Sequence, residues 1–181
     1  SLEANADRKA RAINDRASAK SRGDARGVYD AEQEIKKAGK GIAKANRLAK
    51  QRRDAERQVR ELNGNENVRQ NEKDQLSALV QQVKKAKGLV AEEKALGELK
   101  NQTKIVEANA VDRGRISLVS KLNSAMKDTF IKTIEAKIAA RNEGRGADVR
   151  AAEKTLKGIE NYVKNEAGIE ERRVKATAKD L

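Results

Sequence analysis

Apolar residues recur along most of this chain at intervals of three, four and seven, and they recur thinly. No apolar run exceeds three residues, as in "ALV" (78–80) or "IAA" (138–140). That spacing predicts amphipathic helices, each with a narrow buried stripe. Residues 2–27 carry almost no large apolar side chain, and Gly23 and Gly27 in "RGDARG" weaken helix there. From Val28 to Leu62 the stripe is regular. Val28, Ile35, Ile42 and Ala49 stand seven apart, and Leu48, Ala55, Val59 and Leu62 continue it, a heptad tendency suited to packing on another helix. "LNGNEN" (62–67) ends that helix, with Gly64 expected as a left-handed C-terminal cap.

A third segment reads as near-continuous helix from Glu66 to Arg141. Leu76, Leu79, Val80, Val83, Ala86 and Val90 form its first stripe, and Leu89, Leu96, Leu99 and Val106 carry it on. Gly88, Gly97 and Gly114 are candidate bends, with "VDRG" (111–114) the strongest break signal. The tightest packing is expected at Leu118, Val119, Leu122, Met126, Phe130, Ile134 and Ile138. "RNEGRGAD" (141–148) reads as a hinge, with two glycines ending one helix and Asp148 as N-cap of the next. The last helix carries Val149, Ala152, Leu156, Ile159, Val163, Ala167 and Val174. A hinge so short predicts an antiparallel helical hairpin.

Composition settles order against disorder. Charged residues make up 38% of the chain, which fits either a disordered chain or long helices with charged outer faces. There is no proline, which disordered segments favour and helix interiors exclude. The fold class expected is therefore all-α: long helices and helical hairpins with coiled-coil-like packing, an elongated object without β-sheet. The division expected is residues 1–62, an Ala- and charge-rich helical segment, and residues 63–181, the long helices with the hairpin turn at 142–148. With Tyr29, Phe130 and Tyr162 the only aromatics, a thick core is not expected. No stretch reads as a transmembrane helix or signal peptide.

The charge is uneven. Of a net +13, residues 36–60, "KKAGKGIAKANRLAKQRRDAERQVR", supply +8, from ten bases against Asp54 and Glu56. On a helix, Lys36, Lys40, Lys44, Arg47 and Lys50 share one face. Arg53, Arg57 and Arg60 continue it, Lys37 flanks it, and Ala38, Ile42, Ala45 and Ala49 lie roughly opposite. Ridge and seam drift together around the helix, as a seven-residue repeat does against a 3.6-residue turn, and Arg52 falls near the seam. Such a ridge is a solvated outer face, a track for a phosphate backbone, or a membrane-surface helix. The seam lacks the large anchors a membrane needs, and the stretch lacks the aromatics that stack on single-stranded bases. Double-stranded DNA is the better anionic partner.

Enzyme chemistry is not expected. The chain has neither His nor Cys, which removes the commonest general base and the usual zinc ligands and thiol nucleophiles. Glu92–Glu93 and Glu170–Glu171 read as solvated helix faces, since neighbours on a helix diverge by about 100°. "GKG" (39–41) fails the phosphate-loop pattern, which needs a glycine five positions earlier, where Glu34 stands, and Ser or Thr after the lysine, where Gly41 stands. It reads instead as a soft spot in a helix. "RGD" (22–24) matches the tripeptide of integrin ligands; a helical charged run is expected there.

The blocks "KALGELKNQTKIVEANAVDRGRISLVSKLNSAMKDTF" and "IAARNEGRGADVRAAEKTLKGIENYVKNEAGIEERRV", within residues 94–176, resemble the small internal core (ejection) proteins of short-tailed double-stranded DNA phages. In "RNEGRGADVRAAEKTL" (141–156) the Gly-rich turn and charged helix start look like the family's. The resemblance implies a structural virion protein without catalytic residues, packaged beside the genome in the virion interior and ejected to help form a conduit across the host envelope. The family often has an apolar N-terminal segment, absent here, and no counterpart of the basic helix 36–60 is evident in it.

The function expected is thus a non-enzymatic structural component of a large assembly, and the resemblance points to such an ejection protein. The alternatives are a cytoplasmic nucleoid-type DNA-binding protein and a coiled-coil scaffold. Partners expected are other copies or subunits, since thin seams leave burial to be completed, and double-stranded DNA; no cofactor and no small-molecule substrate are expected. The anion-binding residues are Lys36, Lys37, Lys40, Lys44, Arg47, Lys50, Arg53, Arg57 and Arg60. The packing seam is Leu118, Leu122, Met126, Phe130, Ile134, Leu156, Ile159 and Val163.

Overall fold

The computed structural model describes residues 2–119 and 124–177. Within them the fold is all-α. In chain order the helices are α1 (Leu2–Ser21), α2 (Ala25–Asn63), α3 (Gln70–Lys85), α4 (Leu89–Gly114), α5 (Ser124–Asn142) and α6 (Gly146–Thr177), with a 3-10 turn at Arg115–Val119 before α5. Two compact units result. Ser1–Gly64 with Gln70–Thr103 form one, and Asn65–Arg69 with Lys104–Leu181 form the other. Residues 70–103 thus group with the N-terminal segment, whereas the division expected from sequence lay at 62/63.

In the first unit α1 folds back on α2 as a hairpin. "RGD" is the turn between them rather than part of a helix. Gly23 takes φ +68°, a left-handed conformation that costs glycine nothing, and the Asp24 N–H reaches back to the Ala19 carbonyl at 3.0 Å. The Asp24 side chain then accepts the Gly27 N–H at 2.9 Å and caps α2. The interface is built from small residues. Ala12 and Ala19 of α1 and Ala31 and Ala38 of α2 are buried, while Val28, Ile35, Ile42 and Ala49 of the expected heptad are only half-buried. Two ion pairs, Arg8–Glu34 at 2.8 Å and Arg16–Glu32 at 3.1 Å, cross the hairpin.

Beyond α1, the buried stripe of α2 passes to Leu48, Ala55 and Val59. Gly64 ends the helix without the left-handed conformation expected of it: its φ is −81°, and its N–H donates to the Arg60 and Glu61 carbonyls at 3.2 Å. The unit also buries Leu76 and Val83 of α3 and Leu96 and Leu99 of α4. Leu79 and Val80 are half-buried, and Val90 is exposed. The long third segment is not continuous. It breaks between Lys85 and Leu89, and α4 then runs straight through "VDRG" before tightening into the 3-10 turn.

In the second unit α5 and α6 form the hairpin expected from "RNEGRGAD". Its end repeats the first one: Gly144 takes φ +73°, and the Arg145 N–H returns to the Ala140 carbonyl at 2.8 Å. The next helix begins at Gly146, so Asp148 is not its N-cap but a first-turn carboxylate that receives the Arg145 guanidinium. An acid there suits the positive end of the helix dipole. Among the described residues the unit's hydrophobic cluster is Phe130, Ile134, Ile138 and Leu156, all buried, with Ile116 and Ile159 packed against them. Met126 and Val163 of the expected seam are half-buried. Leu122 and the side chains of Leu118 and Val174 lie outside the described residues.

The two glycines of "GKG" differ. A Cβ on Gly39 would meet open space, whereas one on Gly41 would stand 2.7 Å from the Asn5 amide. Gly41 is therefore an approach point for α1 and not merely a soft spot. Gly39→Ala is expected to stabilise the protein by about 0.5–1 kcal/mol through helix propensity, and Gly41→Ala to gain none of this, because Asn5 must move. Denaturant midpoints of the two variants check the contrast.

Candidate nucleic-acid interface

The basic stretch lies wholly within α2, its residues spaced by a rise of about 1.5 Å each. Burial of Ala38, Leu48, Ala55 and Val59 turns the opposite face outward. Lys36, Lys37, Lys40, Arg47, Lys50, Arg53, Arg57 and Arg60 are exposed, as expected, and Lys44 is half-buried. The cations are not alike. Lys37 pairs with Glu34 at 3.3 Å and Arg57 with Asp54 at 3.3 Å, both within α2. Among the described residues, Lys36, Lys40, Lys50, Arg53 and Arg60 have no anionic partner.

The middle of the ridge is covered from elsewhere in the same unit. Glu93 of α4 takes Lys44 Nζ at 2.5 Å and Arg47 Nη2 at 3.1 Å, and Glu92 takes Arg52 Nη1 at 3.8 Å. Glu93 thus stays exposed, as spacing implied, but both acids also pair with cations of α2, which spacing does not show. The hydrogen bond from Lys44 holds the Glu93 carboxyl below its ordinary value, against a smaller opposing effect of desolvation. Glu34 is lowered likewise, first by its hydrogen bond from Lys37. Arg52, the residue that falls off the ridge by periodicity, is half-exposed beside the seam because Glu92 is its partner.

At its C-terminal end the ridge reaches a cleft of about 210 Å³ between α2 and α3. Arg60 and Lys84 stand on its rim, with Asn63, Ser77 and Gln81 as neutral hydrogen-bonding groups. Lys84 adds a cation from a second helix, one that a single-helix projection of residues 36–60 does not include.

The second unit holds a different charged site, buried rather than exposed. Asp112 of α4 is 3% exposed and Lys137 of α5 is 6% exposed, so both have left water. Lys137 Nζ donates to Asp112 Oδ1 at 2.7 Å and to Glu153 Oε2 at 2.5 Å. Arg141 donates to Asp112 Oδ2 at 2.6 Å and to Asn109 Oδ1 at 2.7 Å, and Asn109 in turn donates to Asn142. Arg115 donates to Glu153 and Glu160, each at 2.9 Å, and its guanidinium lies 6.0 Å from the Phe130 ring centre. Three cations thus meet three carboxylates. Burial alone pushes the Asp112 carboxyl up; hydrogen bonds and charge from Lys137 and Arg141 more than reverse that and leave it below its ordinary value. Glu153 is lowered by the same balance, with Lys137 and Arg115 as the opposing partners. Every charge in the network is answered, so its chemistry is structural: it ties α4, α5 and α6 in one register.

No family profile, curated protein or solved structure matches this chain. Among the described residues no helix is long and apolar enough to cross a membrane, and no group of three or more acidic side chains is placed to hold a metal ion.

Proposed function

We propose that this protein is a non-enzymatic, all-helical structural component of a larger assembly that lies against double-stranded DNA through α2. One observation carries the proposal: five exposed cations, Lys36, Lys40, Lys50, Arg53 and Arg60, stand along one helix without anionic partners in a chain of net +13. Solvated helix faces mix signs and satisfy one another, as α1 and α2 do across their hairpin. A run of 24 residues spans about 36 Å, close to one turn of B-form DNA, so the ridge can follow a phosphate strand without reading bases. The resemblance of residues 94–176 to phage internal proteins supports a virion as the assembly and DNA delivery as the setting.

Binding of a 20-base-pair duplex tests this. Five free cations at about 0.9 counterions each predict that log affinity falls against log salt with a slope of about −4.5. Lys40→Glu, Lys50→Glu and Arg53→Glu together are expected to weaken binding at least tenfold at low salt and to flatten that slope by about 3. Unchanged binding by the triple variant overturns the proposal.

A further inference from the structure

We infer that Glu92 and Glu93, near the start of α4, are a tethered internal anion that occupies the middle of the α2 ridge and competes there with the polyanion. The inference rests on the DNA-binding reading above and concerns regulation of that same surface.

The geometry separates the ridge into parts. Lys36 and Lys40 before the covered region, and Lys50, Arg53 and Arg60 at its far side, face solvent without partners. Between them Lys44 and Arg47 share one carboxylate, that of Glu93, and Arg52 takes the neighbouring Glu92. Two consecutive carboxylates therefore hold three cations of the basic stretch, Lys44 and Arg47 on the ridge and Arg52 beside it, while Lys50 between them stays free.

Two features make this cover displaceable. The Arg47 and Glu93 side chains are 60% and 45% exposed, so a competing anion reaches both partners without unfolding anything. Exposed ion pairs contribute little to stability and weaken with salt. Glu92 also has its own reason to sit in the first turn of α4, where the helix dipole favours negative charge, so it keeps a favourable site when its cation leaves. A duplex carries one charge per about 1.7 Å of axis, a denser array than two carboxylates. Sparse anions fail to displace the cover and dense ones succeed, which gives the ridge a threshold in favour of nucleic acid over acidic protein surfaces.

Duplex binding by Glu92→Gln/Glu93→Gln tests the inference. Relative to the unsubstituted protein, affinity at low salt is expected to rise about three- to tenfold, and the salt slope to steepen by about 2 as Lys44 and Arg47 join the contact at about 0.9 each. The control is Asp15→Asn/Glu98→Gln, which removes the same charge from exposed positions of the same unit; it is expected to change affinity less than twofold and leave the slope unaltered. Glu93→Asp keeps the charge but shortens the reach to Lys44 and Arg47, and should give part of the increase.

If the unsubstituted protein binds through the ridge while Glu92→Gln/Glu93→Gln matches the control, the inference is wrong and the DNA reading stands. Binding by the glutamine variant alone supports the inference in its strongest form, a ridge masked until the acids leave. Binding by neither protein removes both.

Discussion

Replacement of Asp112 by alanine is expected to destabilise the second unit by about 3–5 kcal/mol, the cost of removing one partner from a buried ionic network. Its two carboxylate oxygens accept from Lys137, Arg115 and Arg141. Without them the Lys137 ammonium, itself buried, keeps Glu153 as its one acceptor, and Arg141 keeps Asn109. Most of the loss is the penalty of burying charge that is no longer answered. Urea unfolding and hydrogen exchange at the α5 and α6 amides measure it. Loss below about 1 kcal/mol, the value of an exposed pair, would show that water reaches the network.

The same network sets an acid limit. Asp112 and Glu153 both have folded-state values below their ordinary ones. Their stabilisation is therefore complete above the unfolded carboxylate range, about pH 4. It is lost as pH falls through the lowered folded values, because the unfolded chain then binds the protons first. The gap between the native protein and Asp112→Ala should accordingly be widest near neutrality and narrow as the solution is acidified below about pH 4. A gap that widened with acid would contradict the lowered carboxylates.

Phe130→Ala is the second large effect, at about 3–5 kcal/mol. Phe130 is fully buried, and among the described residues it clusters with buried Ile134, Ile138 and Leu156 and with Ile116 and Ile159 packed against them. Removing the ring leaves a cavity that its aliphatic neighbours fill only in part. The ring also lies under the Arg115 guanidinium, at the outer limit of a cation–π contact. Tyr162→Ala provides the contrast: its side chain is half-exposed, and the change should stay within about 0.5 kcal/mol. Equal losses at the two positions would mean that the cluster is not where the unit is held.

Apolar periodicity makes the helices legible and the glycines of "RNEGRGAD" the second hairpin, because both signals act locally, whereas the turn at "RGD" between α1 and α2 reads from sequence as continuing helix. Gly144, Phe130, Ile134 and Leu156 all do what their positions in the sequence implied. Partners across the fold are another matter. Glu92 and Glu93 point away from each other on their own helix, and nothing in their spacing says that α2 passes within reach. The buried network did leave a trace: Ile134, Lys137, Ile138 and Arg141 follow the three-four rhythm of one face, which places two cations on the best apolar stripe in the chain. Alanines were undervalued for a different reason. Ala12, Ala19, Ala31 and Ala38 look like filler beside Ile35 and Ile42, but a small side chain lets helices approach, and the α1–α2 seam buries these four alanines.

That seam has a thermal consequence. The heat capacity of unfolding grows with the apolar area released, and ordinary proteins gain about 12–15 cal/mol/K per residue. Alanines release little area each, so the α1–α2 hairpin contributes less than its length would imply. Its free energy therefore bends weakly with temperature, rising less toward an optimum and falling less on cooling, whereas the cluster around Phe130 follows the steeper curve of a conventional core.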